Sequence, residues 1–293
     1  MIRIDNEHLE KYANEHYENL KNDLKFFPKN LNYSLKNIIV AKPQKLQEIQ
    51  NYFLSLKSGQ KANLKKMLKE YDIFTNKKKI KYNAYELAKK LNVNVCPYCN
   101  RNYTFTVINE VNNKREEELT RPEFDHFISK KKYPILALSF YNLIPSCHIC
   151  NSTLKGESQV ELLNPYLDNF NEKAKFFLKL KDSTFYHSIK GFEIELKEND
   201  SNDIKTQNTI KTFRLDDLYQ NHKDIILELI QKQAIYNESY IDELMTQYEG
   251  TLFKNREDLL RLITCGYISD EEIGKRPLSK LIKDISKELE LIQ

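Results

Sequence analysis

A chain of 293 residues with 40% hydrophobic and 30% charged residues, 18 Tyr and 15 Phe can bury the core of one large domain or two ordinary ones, and it is too rich in aromatics to be disordered. It contains no apolar run near the roughly 18 residues that a membrane span needs, and its start, MIRIDNEHLE, has neither an apolar signal stretch nor a basic transit segment, so a cytoplasmic protein off the membrane is expected. The net charge of +4 is unevenly spread: residues 1–95 carry 19 Lys+Arg against 10 Asp+Glu, residues 96–165 carry 8 against 8, and residues 166–293 carry 19 against 24. A basic first third suits a phosphate backbone and an acidic last part suits protein or solvent, although lysine-rich helices are also ordinary solvated surface.

Residues 1–95 predict helices broken by loops. Leu24 to Leu31, with Pro28, interrupts an early helix; Pro43 starts one over Gln44 to Leu56, where Leu46, Ile49, Phe53 and Leu56 fall at helical spacing, and Ser58-Gly59 ends it. Two further amphipathic runs cover about Lys61 to Tyr71 and Ala84 to Leu91. Between Cys96 and Val111 the pattern turns to alternation, with Tyr103, Phe105 and Val107 on one face and Thr104 and Thr106 on the other, which predicts a strand. The charged stretch Asn112 to Thr120 reads as a loop, Glu123 to Ile128 as a short strand, Ser129 to Lys132 as a basic loop and Cys150 to Lys155 as the start of a helix. Asn164-Pro165 then makes a turn, and Phe176 to Leu180, Ser183 to Ile189 and Phe192 to Leu196 are three candidate strands, with Lys190-Gly191 as a hairpin. From Asp203 on the signal is helical, with apolar stripes at Leu218, Ile225, Ile226, Leu229 and Ile230 and at Leu278, Leu281, Ile285 and Leu289. No repeat or low-complexity linker separates these pieces.

Four of the five cysteines fall in two C-x-x-C pairs, Cys96/Cys99 in CPYC and Cys147/Cys150 in CHIC. Two such pairs are what a tetrahedral structural zinc needs, because each tight turn aims two thiolates at one ion. The competing redox reading explains one pair and leaves the other unused. Cys265 stands alone in an apparent helix and reads as a small buried hydrophobe. His148 lies inside the second pair, but four thiolates already fill a tetrahedron. His222 reads as a core or capping histidine, and His8, His16 and His187 carry no partner pattern.

Between and beside the pairs lie Asp125-His126, Asn142, Asn151 and Lys155. The string EFDHFISKKKYPILALSFYNLIPSCHICNSTLKG resembles the HNH, or ββα-metal, nucleases, and the likeness covers about sixty residues including CPYC. The resemblance implies an α+β fold with a central zinc-stapled ββα-metal unit (residues 96–165), a basic helical N-terminal region (1–95), and a small antiparallel β element followed by an acidic helical C-terminal region (166–293). It further implies a catalytic set of His126, Asp125, Asn142 and Asn151: His126 as general base, Asp125 and Asn151 as oxygen ligands to a catalytic Mg²⁺ or Mn²⁺, and Asn142 holding the loop that orients the His126 ring. Asn151 stands at a final position that members fill with histidine or, in many cases, asparagine; an amide oxygen still binds a hard cation and moves the preference toward Mg²⁺ and Mn²⁺. Lys155 and the run Lys130, Lys131 and Lys132 would contact backbone phosphates, and each also has the plainer reading of a solvated lysine.

The flanks YNAYELAKKLNVNVCPYCN, ELLNPYLDNF and RPLSKL resemble, more weakly, those of prokaryotic HNH proteins that work with a Rad50-like or AAA-type ATPase in antiphage systems such as Septu and certain retron-linked modules. On that likeness the chain is the nuclease of a defence system, acting on DNA or tRNA, with the acidic C-terminal helices as the docking surface for the ATPase; it has no GxxxxGK[ST] phosphate loop of its own. A zinc-stapled nucleic-acid-binding or scaffold protein without catalysis is the alternative. No helix-turn-helix or other base-reading pattern is evident in the flanks.

Overall fold

The computed structural model describes residues 2–26, 31–76, 80–111, 115–158 and 160–292, with backbone only at 110, 111 and 115–118. Six helices form the first part: α1 (Leu9–Asp23), α2 (Leu35–Ile39), α3 (Pro43–Ser55), α4 (Ser58–Leu64), α5 (Lys66–Thr75) and α6 (Ala84–Leu91). Their caps are local and chemical. Pro43 opens α3, Ser34 accepts the Asn37 N–H ahead of α2, and Asn83 accepts that of Tyr85 ahead of α6, which ends on Asn92 in the left-handed region. The run expected over Lys61 to Tyr71 is two helices that break at Lys65. The Pro28 interruption falls outside the described residues, but α1 does stop at Asp23.

Three two-stranded antiparallel sheets follow. β1 (Val107–Val111) pairs with β2 (Arg115–Thr120), β3 (Glu123–His126) with β4 (Leu143–Ser146), and β5 (Ala174–Leu180) with β6 (Phe192–Glu198). Of the loop expected over Asn112 to Thr120, residues 112–114 lie outside the described residues and Arg115–Thr120 is strand, because a ladder lets charged residues pair through backbone. The strand expected over Tyr103 to Val107 begins only at Val107, with Tyr103 in an isolated bridge to Val95; Tyr103, Phe105 and Val107 are exposed while Thr104 is buried, with its hydroxyl on the Val93 carbonyl. Ser183 to Ile189 forms no strand. Ser183–Tyr186 is a 3₁₀ turn inside the β5–β6 connection, and it sits so close to Gly191 that a Cβ there would meet the Phe185 nitrogen at 2.4 Å.

The remaining helices are α7 (Ile204–Thr212), α8 (Leu215–Tyr219), α9 (Lys223–Ile235), α10 (Glu238–Tyr248), α11 (Arg256–Thr264) and α12 (Ser279–Glu288). α12 guards the open edge of β5, where Asp284 and Glu288 accept the Phe176 and Leu178 N–H groups. Cys265 is the left-handed cap of α11 and is exposed, so the expectation of a buried hydrophobe fails at a helix end. One hydrophobic cluster draws on residues from Ile4 to Ile292, which packs both helical flanks against the segment that carries the cysteines. No helix among the described residues is long and apolar enough to cross a membrane.

Candidate active site and metal centre

The two C-x-x-C pairs converge. All four Sγ atoms lie within 4.8 Å of one another, Cys99 and Cys147 are 4.0 Å apart, and Cys96, Cys99 and Cys150 are buried. Thiolates 2.3 Å from a tetrahedral zinc stand about 3.8 Å from each other, so the donor set and its spread fit that ion. Backbone turns set the geometry: Asn100 N–H bonds the Cys96 carbonyl, Cys96 N–H bonds the Asn102 carbonyl, and Asn151 N–H bonds the Cys147 carbonyl. Arg101 N–H and the Asn102 amide point at Cys99 and Cys147 sulfur, each at 3.4 Å, as donors do toward sulfur that carries negative charge. Burial pushes the Cys96 thiol up, which makes four packed thiolates costly without a cation.

The first pair is anchored from far along the chain. Asn100, in the left-handed region, is fully buried; its amide donates to the Ile273 carbonyl and accepts the Lys280 N–H, while its own carbonyl accepts the Leu278 N–H. The Tyr219 hydroxyl donates to the Cys99 carbonyl. His148 lies outside the cysteine cluster, as expected, and its exposed ring pairs with Glu123. His222 precedes α9 and accepts from Arg101 Nε at 2.9 Å.

Beside this centre β3 runs antiparallel to β4, and the chain then enters a short π-type helix, Ile149–Lys155, that packs on β3. Side chains alternate along a strand, so Glu123 and Asp125 share the face toward that helix. Glu123 meets its first turn, accepting from Asn151 at 2.7 Å and Ser152 at 3.1 Å. Asp125 meets its last, with Lys155 Nζ at 2.9 Å, and its second oxygen takes the Tyr98 hydroxyl at 2.6 Å. Asp125 and Asn151 therefore lie along one strand–helix seam, each held by a neighbour rather than by the other. Burial raises the Asp125 pKa, against the pull of Lys155 and Tyr98.

His126 faces the opposite way. Its Nε2 lies 2.9 Å from the Ala137 carbonyl; a carbonyl only accepts, so Nε2 carries the proton and Nδ1 presents the lone pair of the neutral ring. Burial holds its pKa down to about 3, with the Lys130 and Lys155 charges adding to the effect. The ring packs edge-on to Tyr71 of α5 at 4.5 Å. Asn142 closes the intervening loop, taking the Ile128 N–H at 2.7 Å and donating to the Ile128 and Leu136 carbonyls at 3.0 Å. Leu136 precedes the residue whose carbonyl holds His126.

The lysines divide. Lys155 is buried, with its ammonium on Asp125 and the His126 carbonyl; the phosphate contact expected of it would require it to leave that carboxylate. Lys130 lies over the Tyr71 ring at 3.8 Å, half-buried, with its pKa lowered by burial. Lys131 and Lys132 are exposed, and Lys131 pairs with Glu157. Sequence reading passed over Glu123, Tyr98 and Tyr71. Glu123 was findable, since it stands two residues before Asp125 on a predicted strand; Tyr71 was not, since only tertiary packing brings α5 to His126.

Compared with known proteins, the chain is 40% identical over 73 residues to the Septu protein PtuB of Bacillus thuringiensis, a match that covers 23% of this chain and 28% of that protein. No family model matches, and no solved structure matches. The chain thus spans little more than a quarter of that relative's length, and what is established is a partial likeness to a Septu protein in a chain that brings four cysteines together as a candidate zinc site.

Proposed function

We propose that the protein is a metal-dependent HNH endonuclease that hydrolyses phosphodiester bonds, DNA being the favoured substrate and tRNA the next, and that it serves as the nuclease of an antiphage defence system under the control of a Rad50-like or AAA-type ATPase. The observation that carries the reading is His126, whose Nε2 is fixed on the Ala137 carbonyl and whose neutral ring therefore offers Nδ1 to take a proton from water. Burial keeps the ring unprotonated, at a pKa of about 3, which is below the near-neutral value that suits a general base, so the role requires water and substrate to reach Nδ1 and raise its basicity. The partial likeness to a Septu protein supports the defence role and the partner.

Carboxylate and amide oxygens are the donors that Mg²⁺ or Mn²⁺ takes. Asp125 keeps acceptor capacity on both oxygens beyond Tyr98 and Lys155, and the Asn151 amide turns its nitrogen to Glu123 and leaves its oxygen for a cation. These residues fit the ion, and Asp125 and Asn151 would hold it. When bound it supplies positive charge at the leaving oxygen. The chain itself orients the base through Ala137, fixes the loop through Asn142, and ties Asn151 to the strand through Glu123.

Purified protein should be tested on plasmid DNA and tRNA with Mg²⁺ or Mn²⁺, alone and with the product of the neighbouring gene. His126→Ala should keep its zinc and its affinity for nucleic acid while cleavage falls by about 10² to 10⁴; a variant as fast as wild type would remove the HNH assignment. The rival, a zinc-stapled binding protein, draws on one observation: Asp125 is already neutralised by a buried ammonium. Absence of cleavage under every metal and partner condition would favour it.

A further inference from the structure

Arg121 lies between β2 and β3, two residues before Glu123, and none of the site residues above depends on it. Its guanidinium packs over two aromatic rings, 5.4 Å from the Tyr85 centroid and 5.8 Å from that of Phe124. Its NH1 donates at 2.6 Å to the carbonyl of the adjacent Pro122. Nε is buried without a hydrogen-bond partner, and among the described residues Arg121 makes no ion pair. The nearest carboxylate in sequence, Glu123, is already engaged by His148, Asn151 and Ser152.

An arginine that lies over two aromatic rings with an unmet donor and, among the described residues, no carboxylate partner is arranged for a ligand rather than for the fold. Buried donors are seldom left unpaired, and the planar fork suits phosphate oxygens. The position fits as well. Arg121 and Glu123 line one cleft of about 620 Å³ with Asp72, Thr75, Asn76, Tyr85, Leu119 and Thr120. Burial and the charges of Asp125, Asp72 and Glu123 push the hydroxyl of Tyr71 up while Arg121 pulls it down, which places Arg121 near the residue whose ring touches His126 and makes it a cation facing the carboxylates of this cleft.

We propose that Arg121 binds a backbone phosphate of the DNA substrate in this cleft and so draws the strand across the β3–helix seam. This rests on the nuclease reading for the identity of the ligand. The Arg121 contact adds one cation that Lys130 to Lys132 do not supply, and it approaches from the α5–α6 side.

The test measures affinity of the zinc-loaded full chain for a short labelled DNA duplex across a salt series with no added divalent metal, for wild type, Arg121→Gln and Arg121→Lys, with melting temperatures alongside. Losing a charge-assisted contact should weaken Arg121→Gln binding about 10- to 100-fold, and the slope of log affinity against log salt should shrink by about 0.9, one phosphate's worth. Arg121→Lys should recover the slope and only part of the affinity, since it keeps the charge and loses the fork. An unchanged affinity and slope in Arg121→Gln overturns the proposal, and so does a lower melting temperature with the slope intact, which marks a structural clamp on Tyr85 and Phe124. A wild-type chain that shows the Arg121-dependent slope yet cuts nothing with Mg²⁺ or Mn²⁺ would overturn the nuclease reading and leave the phosphate contact standing.

Discussion

Replacing Lys155 with methionine removes the ammonium and keeps most of the side-chain volume, so it isolates one buried pair. Lys155 and Asp125 side chains are each 3% exposed, with Nζ 2.9 Å from the carboxylate and 2.9 Å from the His126 carbonyl. In the variant Asp125 retains only the Tyr98 hydroxyl, and an ionised carboxylate left unpaired in such a place costs about 3 to 5 kcal/mol. With a urea slope of about 3 kcal/mol per M for a chain of this size, the unfolding midpoint should fall by about 1 to 1.7 M at pH 7, measured on zinc-loaded protein. Adding Asp125→Leu to Lys155→Met removes the stranded charge and should restore most of the loss, a non-additivity that a double-mutant cycle reads directly. A Lys155→Met variant within about 0.5 kcal/mol of wild type, as for an exposed lysine, would refute the buried pair and restore Lys155 to the surface, where a phosphate could meet it.

Metal-loaded protein should bind one zinc and show one fast-reacting thiol of five, the exposed Cys265, with the other four released by a chelator; more than one fast thiol before chelation contradicts the four-sulfur site. Asn142→Ala strands the Ile128 N–H and carbonyl and takes one of two donors from the Leu136 carbonyl, which keeps the Ser139 N–H, so a loss of about 2 to 3 kcal/mol and faster hydrogen exchange at the Ile128 amide are expected, and unchanged exchange counts against the loop-closing role. Burial holds His16 at about 4 against the usual 6.5, so the unfolded chain takes up this proton first: the contribution is full above pH 6.5 and is lost as pH falls toward 4. Between pH 7.5 and 5 wild type should lose about 2 kcal/mol more stability than His16→Gln does, read by urea unfolding; equal losses would show that His16 does not stay neutral.

What could be read in advance was local. Ala84–Leu91 is a helix with its cap at Asn83 because both periodicity and capping lie within ten residues, and the cysteine pairs met because each pair is its own turn. Glu123–His126 was legible as a strand for the same reason. His16 carried no signal, yet it is fully buried, bonded to Tyr82 and Leu138 at separations of 66 and 122 residues. Its tautomer follows from those partners: Nε2 donates to the Leu138 carbonyl and Nδ1 accepts from Tyr82. The charged β2 was hidden because strand pairing is a backbone property that side-chain polarity masks, and Tyr103 to Thr106 alternate without a ladder because alternation alone does not supply a pairing partner.

The short helix Ile149–Lys155 joins these points. Seven residues do not hold a helix in water, and this one ends with the Gly156 N–H on the Asn151 carbonyl, a widened turn that closes on the very residue proposed to hold the cation. Its order must come from tertiary attachments. Cys147 and Cys150 fix its start to the sulfur cluster, Glu123 holds Asn151 and Ser152 in the middle, and Asp125 holds Lys155 at the end. Each attachment reaches a different part of the chain, and the cluster is in turn tied through Asn100 to the segment 273–280. Loss of a metal from the sulfur cluster would therefore reach Asn151 within this helix and Asp125 through Lys155 at its end, while α1 to α6 keep packing of their own. On the proposed nuclease reading, the ion in the sulfur cluster decides whether the seam exists at all, and a strain at the segment 273–280 reaches that cluster through Asn100.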